Sequence, residues 1–357
     1  MLNGTPSEPP KTAFRERWAG TIFAFLSTFL YAISNVVVRY LTDYEIDNDW
    51  ILFYKETIGL SLLLPWLFLR WGQGRFQYTS KRIVVYLIIA AVVCQLIGAR
   101  LHVLGFAVIG LIITVPLVQS SSLLGVAMIG YFVHGDSLSQ RRKFAIAILI
   151  VALTVLSIGK AMTGSGQPLG NSTISTTVSA GYFLLVAAGT VVAGIAYAVY
   201  ITMLRYAIRQ HWKDENSARL SFRFRRWIGH DHIPQPGQRF YSPFPVTFTM
   251  SIVFSVGAVI FGTCLYCKHG ISGFYEVPAV AWHCIVISGV ANMIGFFFQV
   301  QGLRLTSAVQ ASLIAVCQML LLSLIGYLCF NEVINIMVMI GLGLTVYGVF
   351  MSVKPER

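Results

Sequence analysis

Charge is what this sequence is short of. Asp, Glu, Lys and Arg make up 11% of its 357 residues, where a soluble domain carries about 25%. Hydrophobic residues make up 56%, and the mean hydropathy is +0.71. That balance excludes an ordinary soluble enzyme and indicates a polytopic membrane protein. Acidic residues are the scarcer sign, 14 against 26 Lys and Arg, for a net charge of +12. A basic surplus suits nucleic acid, but here the basic residues stand between apolar runs, as the positive-inside rule requires. No Gly-rich phosphate loop of the Walker type is present, which argues against ATP hydrolysis. No nucleophile–base arrangement stands out, and no cofactor or metal is expected. A cleavable signal is not expected either. Residues 1–18 are polar and proline-rich, and the apolar run after them is too long for a signal core. Six cysteines are scattered through apolar segments. Cys264 and Cys267 form a CxxC with no second pair near it, so they read as small residues within a helix.

What is there is a series of long apolar runs. Residues 303–350 show the plan best: two runs, 305–330 and 333–352, meet at the polar corner Asn331-Glu332. Each is long enough to cross a bilayer, which takes about 20 residues. The first carries Ser307, Gln310, Ser312, Cys317, Gln318 and Ser323. Polar side chains at membrane depth face other helices or a water-filled cavity. A related corner occurs earlier. Ile129-Gly130-Tyr131 returns as Ile325-Gly326-Tyr327, and Asp136 then falls on Glu332. Upstream, Tyr31-Ala32 and Arg39-Tyr40 return as Tyr197-Ala198 and Arg205-Tyr206. The two echoes keep their order but not their spacing. The chain therefore reads as a duplicated unit whose second copy carries an insertion.

Taken in order, the expected spans are 19–38, 50–69, 83–104, 106–133, 144–161, 180–204, 244–267, 279–303, 305–330 and 333–352. The expected fold is an all-α polytopic membrane protein with ten transmembrane helices. A polar tail, 1–18, precedes a first five-helix repeat, 19–161. An uncharged Gly/Ser/Thr-rich linker, 162–179, leads to a second repeat, 180–352, with a basic insertion at 205–243. Residues 353–357 are a short tail. Ten spans put both ends on one side. All but five of the 26 Lys and Arg then fall on that side, the exceptions being Arg39, Lys55, Arg100, Lys160 and Lys268. Both termini are expected in the cytoplasm, the linker outside it, and the protein in a bacterial inner membrane or an equivalent cell membrane. Five spans per copy is an odd number, so the copies insert upside down relative to each other. Inverted repeats are a recurring plan of secondary transporters, with the substrate near the midplane.

The run Gly302-Leu303-Arg304-Leu305-Thr306-Ser307-Ala308, then Gly326, Glu332 and the glycine-spaced last span Gly341, Gly343, Gly348, resembles the EamA-like branch of the drug/metabolite transporter superfamily. The first half is a weaker copy, with Asp136 at the place of the family glutamate and Arg141 to Lys143 after it. The resemblance covers 19–161 and 180–352. It departs where the family often has a proline, since Cys317 stands near that place, and in the atypical insertion. It implies a carrier of a small metabolite, amino acid, drug or sugar conjugate, with no single substrate.

Ten side chains are candidates for substrate contact. Lys55 and Glu56 lie one to two turns into the second span, where a charge is a functional candidate by default. The alternative is an interfacial, snorkelling pair. The superfamily commonly has a basic residue near this point. Arg100 and His102 lie toward the end of the third span. Arginine offers a fork for carboxylate or phosphate, and histidine changes charge near neutral pH. Aligning Ile97-Gly98 on Ile294-Gly295 sets them opposite Phe297 and Gln299, so the two copies differ in charge. Asn35, Gln119, Asn292, Gln299, Gln310 and Gln318 are the amides expected to line a cavity, with interhelical packing as the alternative. Asp136 and Glu332 read as acids favoured by a helix N-terminus, with proton coupling as the alternative. In the insertion, Arg219, Arg223, Arg225 and Arg226 alternate with Phe222, Phe224 and Trp227, a composition that suits anionic lipid. His230-Asp231-His232 reads as solvated loop.

The expected function is secondary transport of a small polar metabolite by alternating access, coupled to protons or to exchange. The expected partners are the substrate and the lipid bilayer, with anionic lipid at 205–243, a homodimer left open and nucleic acid not expected. Two other classes compete: a membrane sensor with 205–243 as its output, and a membrane enzyme acting on lipid.

Overall fold

The computed structural model describes residues 11–44, 46–72, 81–134, 140–164, 180–209, 246–275, 277–305, 308–332 and 334–353. Within them the chain is helical: α1 (Lys11–Asp43), α2 (Asn48–Gly72), α3 (Lys81–Val93), α4 (Arg100–Ile109), α5 (Leu111–His134), α6 (Gln140–Gly164), α7 (Ala180–Arg209), α8 (Val246–His269), α9 (Ala279–Leu305), α10 (Ala308–Phe330) and α11 (Ile336–Val353). A π-helical segment, Cys94–Ala99, joins α3 to α4, so Val84–Ile109 is one continuous rod. Among the described residues, seven helices are long and apolar enough to cross a membrane, and Phe144–Leu156, Gln318–Phe330 and Ile336–Gly348 are shorter apolar helices. Large apolar side chains such as Phe25, Leu69, Leu185, Val259 and Leu328 are exposed on the outside of the bundle. Helices expose such faces to hydrocarbon because their backbone polar groups are already paired internally.

Each expected span falls on a helical rod, but several boundaries differ: the first and sixth spans run on to Asp43 and Arg209 rather than ending at 38 and 204. The third span runs past 104 to Ile109, and the fourth begins at Leu111. The break is at Gly110, whose φ of 82° few side chains tolerate. Gly105, where the sequence suggested a break, lies inside α4. A methyl group there would sit 2.8 Å from Thr114 Cγ2 and 2.9 Å from Thr190 Oγ1, so this glycine serves close helix packing. The last span begins at Ile336. Asn335 caps it through an Oδ1 contact to the Val338 N–H at 2.7 Å, while its amide donates to the Gly159 carbonyl at 2.6 Å.

The packing pairs rods from the two halves of the chain. α1 lies along α9, and the α3–π–α4 rod lies along α7. α5 packs on α7, and α10 on α1. α2 touches α9, and α3 touches α8. α2 with α8, α5 with α10, and α6 with α11 complete the set. α6 and α11 lie together at one side of the bundle and bring none of the polar groups described below.

Candidate functional site

The charged residues of the rods gather in two places. At the end of the bundle where α1 stops and α2 starts, Arg39 pairs with Asp43 one turn on and with Glu332 Oε1 through its Nε at 3.3 Å. Glu332 also accepts hydrogen bonds from the backbone N–H groups of Leu111 and Ile112, at 2.7 and 2.9 Å. It is 7% exposed. The expectation of an acid at a helix N-terminus thus holds in kind, but the helix is α5, over two hundred residues away, rather than the one that follows Glu332. A carboxylate there meets both free donors and the positive end of the dipole. Gly110 lets it approach: a methyl group on that residue would lie 2.6 Å from Glu332 Oε1.

The same end holds a second cluster. Arg100 grips Asp49 with both arms, Nη2 at 2.6 and 2.7 Å and Nε at 2.9 Å. Lys268 reaches Asp49 at 2.6 Å and Asp47 at 3.3 Å, and His269 Nε2 lies 3.0 Å from Asp47. Asp47 also accepts from the Asp49 N–H at 2.7 Å, which caps the start of α2. Partial burial pushes the Asp47 carboxyl up, but His269, the Asp49 N–H and Lys268 together hold it below the usual carboxylate range. Arg100 therefore leaves the candidate set: its fork is committed to a carboxylate of α2.

The other gathering lies at mid-length, where α2 crosses α8. Lys55 Nζ stands 3.7 Å from Glu56 Oε1. Glu56 is 3% exposed, and its Oε2 has no hydrogen-bond partner among the described residues. Gln95, 3% exposed and in the π segment, reaches the Glu56 carboxyl. A π turn inside an α-helix re-aims the side chains it carries and occurs often at functional sites. Opposite, Gly257 of α8 makes room, since a methyl group on it would fall 2.8 Å from both Glu56 Cγ and Gln95 Nε2.

Tyrosines flank this pair. Tyr31 donates to Gln299 Oε1 at 2.9 Å, and Tyr197 lies 3.3 Å from His102 Nδ1. His102 Nε2 and the Tyr200 hydroxyl are buried without a partner among the described residues. Tyr31, Tyr197 and Tyr200 all lie within electrostatic range of Glu56. Single Thr and Ser hydroxyls such as Thr249 and Ser323 are also unpaired elsewhere. Thr57, next to Glu56, is unpaired among the described residues as well, and the carboxylate oxygen, the imidazole nitrogen and the phenol belong to residues within electrostatic range of the Lys55–Glu56 pair. An unpaired buried polar group costs about 1–3 kcal/mol, so three together call for a reason beyond packing.

Of the sequence candidates, then, Lys55, Glu56, His102 and Gln299 come together. Gln119 donates to Gln318 Oε1 at 3.3 Å, an α5–α10 contact that packs those helices. Asn35 and Asn292 are half-buried on α1 and α9. The Gln310 side chain lies outside the described residues, as do Asp136 and nearly all of 205–243, including His230-Asp231-His232. Cys264 is a half-buried and Cys267 an exposed free thiol on α8. The reading of candidates from sequence missed Gln95, Tyr31, Tyr197 and Tyr200. The tyrosines had a signal, since Tyr31 and Tyr197 belong to the repeated Tyr-Ala echo, but it was read for duplication alone.

Comparison with known protein families bears on the last third of the chain. Residues 236–354 match the EamA-like transporter family, a branch of the drug/metabolite transporter superfamily whose members are transporters rather than enzymes. No curated protein matches the chain. A crystal structure titled only as that of a protein aligns over 94% of this chain and 97% of its own, with a TM-score of 0.53 at 13% identity. That likeness shows a shared fold. The segment holding α8 to α11 is thereby similar to an EamA-like transporter domain, and the chain is a multi-pass membrane protein.

Proposed function

We propose that the chain is a secondary carrier built of two inverted five-helix repeats, 19–161 and 180–352, that moves a small polar metabolite by alternating access. The observation that carries this reading is a pair of equivalent hydrogen bonds. Tyr31 and Tyr197 occupy the same place in the two copies, and so do His102 and Gln299. Tyr31 meets Gln299, and Tyr197 meets His102. The glycines one turn away behave alike: Gly98 rests on Ala193 and Tyr197, and Gly295 on Ser27 and Tyr31. Interhelical packing follows the same exchange, because α1 on α9 answers the α4 rod on α7, and α10 on α1 answers α5 on α7. Contacts repeated this way are what a two-fold axis in the membrane plane produces.

The substrate centre of this carrier is Lys55, Glu56, Gln95 and His102 with the flanking tyrosines. Coupling is to a proton or to a counter-substrate. The acid that carries a proton is Glu56 rather than Glu332, whose oxygens are held by Arg39 and two backbone N–H groups. Both termini are cytoplasmic, the clustered ion pairs mark the opposite side, and the basic, aromatic-bearing composition of 205–243 suits anionic lipid. The test is uptake into proteoliposomes of pooled labelled amino acids, sugars and organic acids, with and without a pH gradient. Saturable uptake abolished by Lys55→Ala or Glu56→Gln is the expected result. Uptake from every pool at the level of empty vesicles, with folded protein, counts against the carrier reading.

A further inference from the structure

We propose that Glu332 is a latch: its carboxylate, seated on the start of α5, holds the outer mouth of the bundle shut in this structure, and that mouth opens when α5 and α10 part there. The inference rests on the carrier reading above and assigns the structure one state of its cycle. Glu332 is then scaffold for one arrangement of the helices and not for the other.

What the contact joins is the first argument. α5 belongs to the first half of the chain and α10 to the second. Toward the outer end they meet in one buried apolar cluster, Leu111 and Val115 with Met319 and Leu322, which also takes in Phe106 of α4 and Leu41 of α1. Over that cluster lies a single carboxylate that touches three helices. Glu332 follows the end of α10, accepts from the Leu111 and Ile112 N–H groups at the start of α5, and takes Arg39 from the last turns of α1. Arg39 also lies over the Phe330 ring of α10, 5.4 Å from its centroid. One side chain thus ties the two halves where they must separate to admit a solute from outside.

The second argument is that both walls are cut to let this contact form. α10 stops at Phe330, Asn331 takes a φ of 50°, and the Glu332 N–H turns back to the Gly326 carbonyl at 3.1 Å. Asparagine tolerates that left-handed turn better than most residues, and the turn aims the next side chain across to α5. A methyl group on Gly110 would lie 2.6 Å from Glu332 Oε1, and one on Gly326 would lie 2.7 Å from Ile112 Cγ1. With a glycine on each wall, the walls meet at these points without interlocking side chains, so they can part there.

The third argument is where the contact sits. Asn331, one residue before Glu332, is exposed, and so is Tyr44 just past the end of α1. Water therefore stands beside the latch. As α10 withdraws, water can take over the Leu111 and Ile112 donors and the freed carboxylate, which spares the open state an uncompensated buried charge. Inward from the latch comes Phe106, 1% exposed, with its ring 4.5 Å from that of His102. The order from outside is latch, apolar plug, centre.

The test uses a native reporter. Cys94 of the π segment is 5% exposed and lies within electrostatic range of Lys55 and Glu56. Sealed membrane vesicles of either orientation, carrying the full chain, are treated with a charged, membrane-impermeant thiol reagent. Labelling at Cys94 is read by peptide mass spectrometry, so the other cysteines do not interfere. Glu332→Gln should raise the labelling rate from the outer side about tenfold, a modest shift in the balance of two states, and leave the rate from the cytoplasmic side at the wild-type value. Gly110→Ala obstructs the same contact from α5 with the carboxylate intact, and should act alike. An outer rate equal to that of wild type overturns the proposal. So does an equal rise from both sides, which means general loosening. If neither variant folds, Glu332 is a strut needed in every state, and the latch is again overturned. Labelling needs no substrate, so the two readings fail separately. A rise confined to the outer side, with no uptake from any pool, would remove the carrier and leave the latch. Uptake that Glu56→Gln abolishes, with no such rise in Glu332→Gln, would do the reverse.

Discussion

The end of the bundle at Arg39 and the centre at Lys55 are made of the same residue types and treated differently. At the end, Glu332 holds a guanidinium and two backbone N–H groups, and Asp49 holds an arginine and a lysine. At the centre, a lysine and a glutamate stand loosely together, and a carboxylate oxygen and an imidazole nitrogen go unused. Satisfied charges fix one arrangement of helices. Unsatisfied ones keep a cost in reserve that a ligand can remove. On the reading proposed above, that difference distinguishes scaffold from site where burial does not, since Glu332 and Glu56 are both nearly inaccessible, at 7% and 3%.

The most severe test of that division is Glu332→Ala. It leaves Arg39 and the start of α5 without their shared acceptor and should cost about 3–5 kcal/mol, as loss of one buried ion partner does, read by thermal or denaturant unfolding in detergent. If Glu332→Ala unfolds no more easily than wild type, the ion-paired end is not scaffold. Next comes Arg100→Ala, which leaves Asp49 to Lys268. Because Arg100 is 35% exposed on its side chain, solvent screens the pair and the expected loss is about 1 kcal/mol. Uptake per folded molecule should be unchanged, and a selective loss of uptake would return Arg100 to the site. Glu56→Gln should move stability by less than ~1 kcal/mol, since it relieves a buried and poorly paired charge, while uptake falls to background. A loss of stability matching that of Glu332→Ala would erase the contrast between the two places.

The smallest effect is in acid. The folded-state value of Asp47 is depressed, so its stabilising contribution is complete above its ordinary value near ~4 and is lost as the pH falls through the lower, folded value. Wild type should therefore exceed Asp47→Asn in thermal midpoint at pH 6, and the gap should narrow as the pH is taken down through the lowered folded value. A gap that persists or widens in acid would mean that the contacts to His269 and Lys268 are not what holds this carboxyl.

Much of this was legible in the sequence, for reasons that particular residues make plain. Runs of apolar residues name the rods, because each helix must cover a bilayer's thickness. Lys55 and Glu56 announce themselves because a charge inside such a run needs a cause. Arg100 gives the same signal, yet its partner Asp49 lies on another helix, and only tertiary structure separates a committed arginine from an available one. Glu332 was legible as an acid for a helix start, while the identity of the helix was not, since Gly110 carries no mark of what approaches it. Gln95 was visible as an amide in the apolar third span, but its aim was not, because a π segment has no signature in the sequence and the extra residue in its turn decides where the amide points.

The glycines at the crossing of α2 and α8 have a mechanical consequence. With no side chain at Gly59 or Gly257 to hold them apart, the two rods come into close contact near their middles. In a carrier, a close crossing at that level would serve as the fulcrum of a balance beam. Tilting closes one mouth by as much as it opens the other, and the gap at the fulcrum stays the same. Glu56 sits beside that fulcrum, so in the proposed carrier the grip on a passenger would keep its width while the route to either face of the membrane changed.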